Sequence, residues 1–316
     1  MAELRVRAFR RSDGPHYARW LMDEFPTERD TVRYTTASLQ NLIERAYAPG
    51  IQFVVRFLRL FRVPIYDLYL AEVAGQAAGT AFLGYGKRAG YIASVVTDPQ
   101  FRGRGVASAI LARAHADLRR FGRRFVVLEV LLENEGARRL YRKLGYTQVR
   151  TLQTYLGPER SDEESTRVPS IRALRPSDVG ALSAIAEAAT PAPVREAQPI
   201  GKSTFTQATG WAAFEGKGSA GWVIESGDAP AGFFRTTFGS LSPVGHLSSP
   251  LFGSQVTPEE RSRAVRFAVA TLGRQGARQV VCELPDDHAA ARQAIESEGF
   301  RPAYGSEMLR LTLGDR

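Results

Sequence analysis

Residues 94–111 read SVVTDPQFRGRGVASAIL. A β-branched run ends at Val96, Asp98-Pro99 turns the chain, and Arg102, Gly103, Arg104, Gly105, Val106 and Ala107 lead straight into a segment with helical apolar spacing. Glycine lets the backbone bend sharply and approach a ligand closely. The first amides of a helix have no intrahelical acceptor and sit at the positive end of its dipole. Together these features make a site for a diphosphate, with Arg102 and Arg104 adding positive charge. A third glycine at dinucleotide spacing is missing, and no Gly-Lys-Ser/Thr follows, so neither of those nucleotide loops is present. On this stretch alone, an arginine-rich helix start is an equal reading.

Around this stretch, short β-branched or aromatic runs bounded by glycine predict strands at 4–9, 68–73, 78–85, 91–96 and 125–131. The Gly75-Gln76 pair between the second and third predicts a hairpin. Ile110, Ala114 and Leu118 mark the apolar face of a helix over 105–121, and a second helix is expected over 135–144. Antiparallel strands followed by a strand-helix-strand-helix run imply a mixed α/β (α+β) sheet.

The chain is also duplicated. LRRFGRRFVVLEVLLENEGARRLYRKLGY begins at Leu118, and LGRQGARQVVCELPDDHAAARQAIESEGF begins at Leu272, aligned without a gap. Both halves open alike, with LRVRAFRRSDG near Leu4 and SIRALRPSDVG near Ser170. Two copies of one domain follow: residues 1–157, a polar linker 158–167, and residues 168–316 with strands at 221–226, 231–238 and 279–283. The copies diverge where chemistry would sit. Asn134 is matched by His288, Tyr141 by Ile295, and the glycine loop by the glycine-free TPEERSRAV.

Bulk properties set limits. The 316 residues are 44% hydrophobic and 24% charged, which suits globular domains with real cores. A lone cysteine, Cys282, excludes an internal disulfide. No apolar run reaches the roughly 20 residues that span a bilayer, and the N-terminus lacks a signal-peptide core, so a cytoplasmic protein without stable membrane insertion is expected. The net charge of +9 attracts anions of every kind. No zinc spacing or aromatic-basic stacking motif supports nucleic-acid binding, and no metal site is expected.

Two blocks carry a family resemblance. Arg102-Gly103-Arg104-Gly105-Val106-Ala107 follows Val96-Thr97-Asp98-Pro99. Further on come Asn134, Ala137, Tyr141 and Gly145-Tyr146, in the pattern Asn-x-x-Ala-x-x-x-Tyr-x-x-x-Gly-Tyr. Their order and spacing resemble the GNAT superfamily of N-acetyltransferases over about residues 4–156, with the second half similar as a degraded, non-catalytic copy. The resemblance implies two tandem domains, each a mostly antiparallel sheet flanked by helices, and acetyl-coenzyme A as co-substrate with no metal. It implies that the amides of Arg102, Gly103, Arg104, Gly105, Val106 and Ala107 hold the pyrophosphate, that Val95 and Val96 pair their backbone with the pantetheine arm, and that Asn134 contacts that arm. Tyr141 would be the general acid, although a core aromatic on an amphipathic helix is the bland alternative. Glu129 is the expected base. Its counterpart Glu283 survives in the second copy, which also fits a structural role, and a water chain along Tyr91 and Ser94 is the other route. His115 is expected to be solvated on its helix. The acceptor is expected to be a small-molecule amine, with a peptide or protein N-terminus or a non-catalytic acyl-coenzyme A sensor as alternatives.

One segment stands outside this scheme. Residues 47–69 combine Ile51, Val54, Val55, Leu58 and Phe61 with Arg56, Arg59 and Arg62. A helix packed on its own core, an acceptor-site wall and a membrane-surface contact are all open readings.

Overall fold

The computed structural model describes residues 3–33, 35–158, 168, 170–206, 218–239 and 242–314. All but the first residue of the expected linker, 159–167, lie outside them. The chain forms two compact units: residues 1–29, 34–149 and 307–316 make unit 1, and residues 30–33 and 150–306 make unit 2. The division places the last ten residues with unit 1, a feature that the sequence reading of two consecutive domains does not contain.

Unit 1 is a mixed α/β layer. Strands β1 (Leu4–Ala8), β2 (Tyr66–Val73), β3 (Gln76–Tyr85) and β4 (Ala89–Thr97) pair antiparallel in that order. The expected β2–β3 hairpin turns at Ala74-Gly75, with φ of 51° and 77°. Both residues are left-handed, the twist that a tight hairpin requires. β4 pairs parallel with β5 (Phe125–Leu131), so a crossover is obligatory, and helix α5 (Val106–Arg120) supplies it. Val106, Ile110, Leu111, Ala114 and Leu118 of α5 are buried against the sheet, the face that the apolar spacing predicts. Glu307–Thr312 of the last strand, β13 (Arg301–Thr312), completes the sheet beside β5, where Leu309 and Leu313 enter the core. Helices α1 (Gly14–Glu24), α2 (Pro26–Val32), α3 (Thr36–Ala46) and α4 (Pro49–Leu60) separate β1 from β2, and α6 (Glu135–Lys143) follows β5.

Unit 2 repeats the plan. After β6 (Thr147–Leu156), β7 (Ile171–Ala173), β8 (Ala220–Ser226) and β9 (Ala229–Thr237) are antiparallel. β10 (Val244–Leu247) runs parallel to β12 (Gln279–Pro285), and the short β11 (Leu251–Phe252) and the helix Pro258–Arg274 lie between them in the chain. The duplication extends to side chains. In unit 1, Arg7 clamps Asp13 and Glu72, each at 2.7 Å; in unit 2, Arg172 clamps Asp178 at 2.7 Å and Glu225 at 2.5 Å.

Candidate active site

The site begins where β4 and β5 stop pairing. Their parallel ladder runs from Ala89↔Phe125 to Ile92↔Leu128 and goes no further, although both strands continue. Beyond Ile92, β4 bulges: Ala93 faces Phe82 and Val96 faces Thr80, so Ser94 and Val95 together oppose Ala81. Ser94 takes the strain, with φ of 52° in the left-handed region. The β5-facing edge of β4 from the bulge onward has no strand partner among the described residues. Val95 and Val96 lie on this segment, with Val96 buried and Val95 packed against the same core. Glu129, half-buried, is the first β5 residue past the last pair.

The glycine loop follows directly. Asp98 accepts from the Gln100 amide at 3.1 Å, from Trp20 Nε1 at 3.0 Å and from Arg19 at 3.4 Å, which binds α1 to the turn. Burial alone would raise the Asp98 pKa; the Trp20 and Gln100 hydrogen bonds and the charges of Arg19 and Arg102 hold it below the usual carboxylate value. Gly103 and Gly105 have φ of 75° and 78°, and a side chain at either would meet nothing within 4 Å. The two positions therefore need glycine for their backbone, and they leave open space in front of it. Ala109 makes the first bond of α5, to Gly105 C=O at 2.9 Å, so the amides of Val106, Ala107 and Ser108 precede the helical ladder. The side chains beside the loop are less free than the sequence suggests. The Arg102 guanidinium binds Glu24, and Arg104 lies over the Phe101 ring at 5.6 Å.

On α6, Asn134 is the N-cap, its Oδ1 accepting from the Ala137 amide at 3.1 Å. Its carbonyl oxygen is thus used by the helix, which leaves the amide nitrogen for any ligand. Tyr141 is 5% exposed and shares one buried cluster with Phe101 and Val106 of the loop. Its hydroxyl has no hydrogen-bond partner among the described residues, and burial raises its pKa above the ordinary phenol value. The side chain thus combines a packed ring with a hydroxyl that makes no hydrogen bond among the described residues.

His115 corrects an expectation. It is 7% exposed rather than solvated, shares a 2.7 Å hydrogen bond with Tyr146 Oη, and burial lowers its pKa to about 4. The α5 face that packs on the sheet is wider than the three-residue stripe suggests, because Leu111 and His115 flank it.

Two side chains escaped the sequence reading. Tyr17 on α1 is 1% exposed, and its hydroxyl is buried with no hydrogen-bond partner among the described residues. Burial pushes its pKa up to about 12, and the Ser94 hydroxyl is near enough to oppose that shift. Glu28 on α2 has a buried Oε2 with no hydrogen-bond partner among the described residues. Burial and the neighbouring Glu133 raise its pKa, and Glu133, just before Asn134, is tied to Thr27 at 3.0 Å. Both belong to helices between β1 and β2 and carry no local motif. Only contact with β4 and with the end of β5 reveals them.

The equivalent places in unit 2 are built differently. The helix Pro258–Arg274 is closed by a capping box, in which the Glu260 amide donates to Thr257 and the Thr257 amide donates to Glu260 at 2.8 Å. Glu259 and Glu260 put negative charge in its first turn, which disfavours an anion there. Ile295 is fully buried, and His288 sits between Ser249 at 2.8 Å and Arg150 at 3.0 Å. Among the described residues, no group of three or more His, Cys, Asp or Glu could hold a metal ion, and no helix is long and apolar enough to cross a membrane.

Over 65 residues the chain is 37% identical to an uncharacterised N-acetyltransferase of Methanocaldococcus jannaschii, covering 21% of this chain and 29% of that protein. Over 91 residues it is 35% identical to the Arabidopsis thaliana N-alpha-acetyltransferase MAK3, covering 28% of this chain and 48% of that protein. The chain thus spans half or less of the length of these two relatives. Among solved structures, a GCN5-related N-acetyltransferase from Sphaerobacter thermophilus superposes with a TM-score of 0.59 at 17% identity, covering 98% of this chain and 96% of that one. A tandem GNAT protein from the clavulanic acid biosynthesis pathway gives 0.58 at 14% identity, covering 99% of each. At such identities the likeness shows the fold, and it extends over nearly the whole chain. Residues 17–146, the part of unit 1 that holds the glycine loop and Tyr141, match the model of the acetyltransferase (GNAT) family.

Proposed function

We propose that unit 1 moves an acetyl group from acetyl-coenzyme A to the primary amine of a small molecule, by direct attack in a ternary complex, and that unit 2 does not catalyse transfer. The observation that carries this reading is the pair of left-handed glycines ahead of α5, beside the strand edge left open by β4. The amides of Gly103, Gly105, Val106 and Ala107 bind the pyrophosphate, those of Arg102 and Arg104 already donating at 3.4 Å to the Pro99 and Phe101 carbonyls, and the Val95–Val96 backbone takes the pantetheine arm as an added strand. Asn134 offers its amide nitrogen to the same arm. A backbone amide at the end of this β4 segment polarises the thioester carbonyl. The amine nitrogen forms the new bond to the carbonyl carbon as the carbon–sulfur bond breaks, and Tyr141 gives its proton to the departing sulfur.

The amine must shed a proton, since a lysine-like amine has a pKa of about 10.4. Glu129 lies at the parting of β4 and β5 and is one acceptor for it. Glu28 is the other, because its buried Oε2, unpartnered among the described residues, can attract an ammonium and takes its proton more readily as the pKa rises. A peptide α-amine is the second reading, favoured by the relative that is an N-alpha-acetyltransferase. The test is release of free thiol from acetyl-coenzyme A across a panel of small amines and short peptides. Turnover with small amines supports the first reading, and turnover with peptides alone supports the second. Failure with every acceptor, despite cofactor binding, would leave a sensor.

A further inference from the structure

Helix α4 turns Val55 inward and is tied to its unit by Gln52 to Tyr66 at 3.1 Å, but most of its apolar surface faces outward. Of its twelve residues only Val55 is buried. Phe53, Phe57 and Leu60, with Phe61 just beyond the helix, are 70%, 49%, 81% and 65% exposed. Their spacing places them on one stripe, and the rings run in series, Phe53 to Phe57 at 6.3 Å and Phe57 to Phe61 at 5.0 Å. Exposed apolar surface of this extent marks an interaction site. The charge along this segment is positive, with one acidic neighbour, Asp67, which Arg59 binds at 2.5 Å. No Asp or Glu occurs between Glu44 and Asp67, and exposed Arg56 borders the stripe. Arg62, with a left-handed φ of 61°, ends the segment by donating to the Arg120 carbonyl at 3.0 Å. Arg120 belongs to a second feature: a cavity of about 390 Å³ lined by Arg119, Arg120, Arg123 and Arg124, with Leu313 and Gly314. Arg123 Nε there is buried and unpartnered among the described residues.

We propose that this face of unit 1 docks on an anionic phospholipid bilayer. The Phe53–Phe57–Leu60–Phe61 stripe enters the boundary between headgroups and acyl chains, and the arginine cavity receives a phosphate-bearing headgroup. A bilayer of this kind supplies hydrocarbon and anionic groups side by side, which is the pairing that the surface presents. At twelve residues α4 is too short to span the hydrocarbon core and lies along it. A second copy of the chain is disfavoured, because an isologous contact would set arginine against arginine. The cavity lies at the C-terminal end of α5 and the glycine loop at its N-terminal end, so docking leaves the loop open.

The test is flotation of the full chain with vesicles of phosphatidylcholine alone and of phosphatidylcholine with phosphatidylglycerol. Binding is expected only with phosphatidylglycerol present, and it should weaken with added salt. Replacing Arg120 by Ala should lower it about five-fold. The F57S/F61S double variant should lower it about ten-fold or more, with an unchanged melting temperature because both rings are exposed. No vesicle binding, equal binding to neutral vesicles, or binding indifferent to both variants would overturn the proposal. So would a lipid-free dimer that F57S/F61S dissociates.

Discussion

His115 and Tyr146 share a 2.7 Å hydrogen bond inside unit 1, and the Tyr146 ring meets Tyr141 edge to face with centroids 5.6 Å apart. One aromatic pair thus joins α5 to the segment that carries the proposed acid. Because burial lowers the His115 pKa from 6.5 to about 4, the unfolded chain binds more protons than the native one between those values. Stability should be unaffected by this group above pH 6.5 and should fall as pH drops toward 4, by as much as about 3 kcal/mol. Denaturant unfolding of wild type and His115→Gln across pH 7 to 4 checks this, with the variant showing the shallower loss. A residual slope should remain, since burial lowers His246 and His288 too.

Tyr141→Phe keeps the ring in its packing and removes only the hydroxyl. The expected result is kcat lower by about 100-fold, within the range for loss of a general acid. The dissociation constant for acetyl-coenzyme A, read by calorimetry, should be nearly unchanged. Unchanged turnover would assign the tyrosine to the core alone.

Asp98 holds the glycine loop by three hydrogen bonds to α1 and to its own turn. Asp98→Ala strands the Trp20 indole N–H and the Gln100 amide, so a stability loss of about 2–3 kcal/mol is expected. The larger consequence falls on binding, because the amides that face the diphosphate lose their fixed geometry. Calorimetry should show weakened acetyl-coenzyme A affinity, with kcat at saturation less affected.

Glu28 and Glu129 make different predictions as proton acceptors. If Glu28 takes the proton, Glu28→Gln should remove the acidic limb of the kcat/KM profile, a limb placed above the ordinary carboxylate range by the raised pKa. Glu129→Gln should then cost far less. The reverse pattern would return the role to β5.

The duplicated α/β plan and the glycine loop were legible because each rests on local rules. Left-handed glycines, a helix start and an alternating strand are written within a few residues of one another. The same holds for the Arg7–Asp13 and Arg172–Asp178 clamps, whose positions are visible in LRVRAFRRSDG and SIRALRPSDVG. His115, Tyr17 and Glu28 were misread or missed for the opposite reason. Their burial is decided by residues 31 to 105 positions away, such as Tyr146, Ser94 and Glu133, and no period in the sequence encodes that. Asn134 stood out in the sequence through the family pattern, yet its capping bond to Ala137 is a local task that the pattern does not announce.

Glu307 shows the largest gap between sequence order and structure. It is 3% exposed and bonds Arg138 at 2.5 and 3.2 Å and Arg142 at 3.3 Å, which fastens the end of β13 to the helix that bears Tyr141. Glu307→Ala leaves Arg138 and Arg142 without their carboxylate and loosens the helix that bears Tyr141, so a lower melting temperature is expected. Removing residues 307–316 should do more, because Leu309 and Leu313 leave the core and β5 loses its neighbour. A fragment ending at residue 157 is therefore expected to be insoluble or molten, judged by loss of cooperative unfolding and of near-ultraviolet circular dichroism. Adding a peptide of residues 301–316 in trans should recover part of the transition. A fragment 1–157 that melts cooperatively at the full-length temperature would show that the first copy closes its sheet without the chain's last strand.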